Sequence, residues 1–84
     1  MELEKIINVI KSEVQALAGK ELNDTDEDVF FKSNFIDSLN LLNIIIFLEQ
    51  KFDLKIDMFF QDRESVSSVN KLAQAIKRQL EASK

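Results

Sequence analysis

Apolar residues spaced three and four apart recur in three separate stretches of this chain, and no proline interrupts any of them. Leu3, Ile6, Ile7, Ile10, Val14 and Leu17 line one face of a first helix, with Glu4, Lys11, Glu13 and Gln15 on the remainder. Its stop is Gly19, the one glycine in the sequence, because glycine accepts the left-handed backbone of a C-terminal cap. A second helix is expected over residues 38–52, opened by Asp37, whose carboxylate can accept a first-turn N–H and whose charge suits the positive helix end. Leu41, Ile44, Ile45, Leu48 and Phe52 form its core stripe. Ser67 is expected to cap a last helix that buries Val69, Leu72, Ala73, Ile76 and Leu80 and carries Lys77 and Arg78 in its C-terminal turns.

With 84 residues and no Cys or His, the chain has neither disulfides nor the usual zinc ligands to hold a small core together. Helix packing remains, so the expected fold is all-α, a single domain over 1–84 with three main helices and one short helical turn at residues 58–61. Residues 20–37 form a long loop between the first and second helices. Leu22, Val29, Phe30, Phe31, Phe35 and Ile36 should pin it across the bundle, each well-buried side chain contributing roughly 1.5–3 kcal/mol. Leu54, Lys55 and Ile56 alternate like a strand but have no second strand to pair with. Eleven basic against fifteen acidic residues leave a net charge of −4, which argues against nucleic acid as partner. The opening Met1, Glu2, Leu3, Glu4, Lys5 has no apolar signal core, and the apolar run at 44–48 is too short to span a bilayer. A cytoplasmic protein with no membrane insertion is expected.

The second helix carries a second apolar stripe, Leu39, Leu42 and Ile46, well rotated from the first. Either this helix is central and buried on two sides, or the stripe is a docking surface. It begins beside Ser38, which together with Asp37 is a favoured helix-start residue. A catalytic serine is poorly supported: there is no His to act as base and no Gly-x-Ser-x-Gly elbow. A serine nucleophile without its base must be activated by another protein. Asp24, Asp26, Glu27 and Asp28 lack the glycine and distal Glu of a calcium loop and read as a solvated acidic loop, so no metal site is expected. Phe59 and Phe60 read as core anchors, with a pocket lining as the alternative, and Met58 beside them as a contact on the rim.

The run Phe30, Phe31, Lys32, Ser33, Asn34, Phe35, Ile36, Asp37, Ser38, Leu39 resembles the attachment segment of acyl carrier proteins and related phosphopantetheine-binding domains. The resemblance continues through Phe52, Ile56 and Val66, Ser67, Ser68, Val69, and in length and helix order it spans essentially the whole chain. It implies an acyl-carrier-like bundle, monomeric and not an enzyme. A phosphopantetheinyl transferase would move the 4′-phosphopantetheine arm of coenzyme A onto the Ser38 hydroxyl, and the arm's thiol would carry acyl groups as thioesters. Asp37 would cap the helix and help position that transferase. Asp37, Leu39, Leu42, Asn43, Ile46 and Met58 would meet the transferase and the enzymes that load and process the cargo.

Two departures from the family pattern stand out. Asn34 occupies a position where relatives often have Gly, and Asn tolerates the left-handed turn better than most residues. Where fatty-acid carriers present an acidic second helix, this chain has Asn40, Asn43 and Phe47, and Glu49 is the sole acid between Leu39 and Lys51. Electrostatic steering along this helix should be weak, which implies a specialised carrier in a dedicated biosynthetic pathway. The nearest alternative is an aminoacyl, D-alanyl or peptidyl carrier. A reading of another class is a helical protein–protein docking module that never receives the arm.

Overall fold

In the computed structural model, the described residues (2–30, 35–56 and 67–82) form three helices in the order α1 (Leu3–Ala18), α2 (Ser38–Phe52) and α3 (Val69–Ala82), with no strand among them. This is the all-α class that the apolar spacing predicts. The expected turn at residues 58–61, with Met58, Phe59 and Phe60, lies outside the described residues. α1 packs against both other helices, more extensively against α3. Its Ile6, Ile10 and Val14 are completely buried, and Leu3, Ile7 and Leu17 pack around them at partial exposure. From α2 the core takes Leu41, Ile44, Ile45, Leu48 and Phe52, and from α3 Val69, Leu72, Ala73 and Ile76.

α1 ends where its glycine dictates. Gly19 takes the left-handed conformation at φ 71° and its N–H donates to the Gln15 carbonyl at 2.9 Å. The Gln15 side chain then reaches past the helix end, its Oε1 accepting the Leu22 N–H at 2.8 Å, so the departing chain is tied down as Leu22 enters the core. Farther along the loop, Val29, Phe30 and Ile36 are also buried, as its apolar content predicts, while Phe35 is half-buried and Phe31 lies outside the described residues. Polar staples that the sequence does not announce fix it to the start of α3. The Asn70 N–H donates to the Thr25 carbonyl at 3.0 Å, Asn70 Nδ2 to Asp26 Oδ1 at 2.6 Å, and the Phe30 N–H to the Ser67 carbonyl at 3.4 Å.

Two expectations about α3 need correction. Its N-cap is Ser68, not Ser67: Ser68 Oγ accepts the Lys71 N–H at 3.1 Å, while its carbonyl accepts the Leu72 N–H at 2.9 Å. Ser67, one residue earlier, is buried and gives its carbonyl to the loop. α3 also continues to Ala82, so Lys77 and Arg78 fall short of the last turn, where the helix dipole is felt most.

The alternating Leu54, Lys55, Ile56 trio is a tail folded back on α2. Asp53 adopts the left-handed conformation at φ 53°, a geometry Asp tolerates better than most residues. The Leu54 N–H donates to the Glu49 carbonyl at 3.2 Å and the Ile56 N–H to Glu49 Oε2 at 2.9 Å. Glu49 thereby satisfies donors that a strand would have needed a partner for.

Because nothing lies within 4 Å of a Cβ added at Gly19, a Gly19→Ala change meets only the backbone penalty of its positive φ. Urea denaturation should show a loss of about 1–2 kcal/mol for Ala and a smaller loss for Gly19→Asn. Equal stability for Gly19→Ala and wild type would contradict the capping account.

Candidate functional site

The start of α2 is built by three consecutive residues with different tasks. Phe35 is half-buried with the Lys20 ammonium 4.6 Å from its ring centroid, Ile36 is buried in the core, and Asp37 is exposed. Asp37 is extended, at φ −87° and ψ 173°, as an N-cap residue should be. Its Oδ1 accepts the Asn40 N–H at 2.8 Å and its carbonyl accepts the Leu41 N–H at 2.9 Å. Ser38 is the first helical residue. It stands between two exposed neighbours, Asp37 and Leu39.

The two apolar stripes of α2 have opposite fates. At about 100° per residue, Leu41, Ile44, Ile45, Leu48 and Phe52 cluster within roughly 100° of arc, and all are buried. Leu39, Leu42 and Ile46 lie outside that arc, spread over about 10 Å of helix axis, and are 69%, 43% and 44% exposed. Among the described residues neither α1 nor the loop buries them, so the helix is not buried on two sides there. Asn43, beside them, is exposed as well. Of the other positions expected to face outward, Asn40 and Phe47 are only half-buried, and Phe47 packs against the edge of the core. From Ser38 to Leu48 no residue is charged, and Glu49, the first acid, has its carboxylate engaged by the Ile56 N–H. Met58 lies outside the described residues.

Elsewhere the acidic loop is occupied with its own architecture. Asp24 Oδ1 accepts the Asp26 N–H at 2.9 Å, closing a local turn, and Asp26 holds Asn70. Among the described residues no cluster of acidic, His or Cys side chains is arranged to hold a metal ion. Likewise, no described buried side-chain polar atom lacks a hydrogen-bond partner. None of the described helices is long and apolar enough to cross a membrane. The Lys20–Phe35 contact escaped the sequence reading, since a pair 15 positions apart leaves no periodic trace.

No protein-family model matches the chain. It is similar to the D-alanyl carrier protein of Leuconostoc citreum (strain KM20), at 23% identity over 69 residues that make up 82% of this chain and 83% of that protein. The likeness thus extends over most of the chain rather than one motif.

Adjacent leucines should respond very differently to truncation. Leu41→Ala should cost about 2–5 kcal/mol as a core cavity, Leu39→Ala less than about 0.5 kcal/mol as a surface change. Asp37→Ala should fall between, at about 0.5–2 kcal/mol for the lost cap. Equal losses for Leu39→Ala and Leu41→Ala in chemical denaturation would contradict the division of α2 into a buried and a free face.

Proposed function

We propose that this chain is a carrier protein, a tethered shuttle whose Ser38 hydroxyl bears a 4′-phosphopantetheine arm and presents cargo to successive enzymes. The observation that supports it best is the juxtaposition at one end of α2: an Asp-capped helix start with solvent on both flanks of Ser38, continued by an uncharged, exposed stripe of Leu39, Leu42 and Ile46. A phosphodiester fits this place, because a helix N-terminus favours negative charge. When bound, the arm supplies a thiol for thioester chemistry, which the chain, lacking Cys, has no means of supplying itself.

In the attachment reaction, Ser38 Oγ would form a bond to phosphorus and the bond from that phosphorus to the nucleotide part of coenzyme A would break. The hydroxyl proton would pass to a base on the transferase, because the chain has no His and the neighbouring Asp37 carboxylate is engaged by the Asn40 N–H. Asp37 has a distinct task, holding the first turn through Asn40 so that position 38 is presented in one geometry. Leu39, Leu42, Asn43, Ile46 and Met58 are assigned to the surface that partner enzymes touch.

Two cargoes fit the arm. The departures from the fatty-acid pattern support an acyl group in a specialised biosynthetic route, recognised by shape and apolar contact. The name of the similar Leuconostoc protein favours an activated amino acid, D-alanine first.

Incubation with coenzyme A and a broad-specificity phosphopantetheinyl transferase should add the mass of one arm to the wild type and none to Ser38→Ala. The circular dichroism of the two proteins should coincide. A wild type that gains no mass, or a Ser38→Ala variant that does, would overturn the assignment. If recognition is specialised as argued, the acyl-loaded protein should be elongated by general fatty-acid synthase enzymes far more slowly than their own carrier. Equal rates would refute that part.

A further inference from the structure

Lys20 and Phe35 sit near the two ends of the loop between α1 and α2, yet the ammonium lies 4.6 Å from the ring centroid, within cation–π range. Each end is anchored separately. Lys20 follows Gly19, which caps α1, and the chain is caught again at Leu22 by the Gln15 side chain at 2.8 Å. Phe35 is joined to Ile36, buried in the core, and then to Asp37, whose carboxylate holds Asn40 at 2.8 Å. The pair Phe35–Ile36 is therefore gripped from two directions, by the core on one side and by the cation on the other.

We propose that Lys20 is a positioning residue for Ser38. From the end of α1 its charge holds Phe35, and so sets the fraction of molecules in which the Asp37 cap is made and the start of α2 is correctly presented to the modifying enzyme. This role rests on the reading that Ser38 receives the arm. A solvent-exposed ammonium over an aromatic face shifts such an equilibrium by about two- to five-fold. A shift in the competent fraction changes the apparent affinity of the enzyme for the segment and leaves the chemical step alone.

The test combines loading kinetics with amide exchange on Lys20→Met, Lys20→Arg, Phe35→Leu and the Lys20→Met/Phe35→Leu double variant. Lys20→Met should raise KM for the carrier by no more than the shift of the equilibrium, about two- to five-fold, with kcat unchanged, and Lys20→Arg should restore it. Phe35→Leu should raise KM too, and Lys20→Met should add nothing on top of it. Exchange of the Asn40 and Leu41 amides, which are bonded to Asp37, should quicken by about two- to five-fold in Lys20→Met.

If Lys20→Met retains its full effect on KM in the Phe35→Leu background, Lys20 acts on the enzyme directly and the inference is overturned. Unchanged amide exchange in Lys20→Met, with wild-type loading intact, would overturn it alone. A wild type that accepts no arm would instead remove the reading of Ser38, and this role with it.

Discussion

The complete burial of Ile6, Ile10 and Val14 on one face of α1 is the contact on which the rest of the structure depends. α1 touches both other helices, and with no cysteine in the chain there is no covalent staple to take over if that face is lost. Burying apolar side chains of this size contributes roughly 1.5–3 kcal/mol each, which in a domain this small is a large share of the net stability. Among the described residues α2 gives one face to this core, while Leu39, Leu42 and Ile46 on the other side are exposed.

That asymmetry links packing to function. Isolated exposed leucines are ordinary on protein surfaces. Leu39, Leu42 and Ile46 differ in being contiguous along one helix, uncharged between Ser38 and Leu48, and adjacent to a helix start fixed by a capping carboxylate. A small shuttle needs a rigid attachment point beside a surface that its partners can grip and release. One helix meets both needs when its first turn is pinned by Asp37 and its outer face is spared from the core. Under the proposed function, the absence of charge there would favour short-range fit over long-range steering.

Much of this was legible in the sequence because the signals are local. Asp37 and Gly19 mark helix ends through backbone chemistry that depends on a few neighbouring residues, and both ends fall where those residues place them. The two stripes of α2 separate on a helical wheel. The misjudged features depend on distant partners. Ser67 and Ser68 are equally good caps by type; in the fold Ser68 makes the cap while the Ser67 carbonyl accepts the N–H of Phe30, far away in the chain. Phe47 lies at an outer angle on the wheel but packs at the core's edge. The links from Asn70 to Thr25 and Asp26, and from Lys20 to Phe35, join residues with no periodic relation, so only the folded chain reveals them.

The central claim is that a borrowed thiol, moored at the head of α2, makes this chain a carrier. Tandem mass spectrometry of the protein purified from its own cells, without added transferase, tests it most directly. The account predicts a phosphopantetheine-sized addition mapped to Ser38, bearing cargo that mild hydroxylamine releases as a thioester. Uniformly unmodified Ser38 in cells actively using the protein would contradict it.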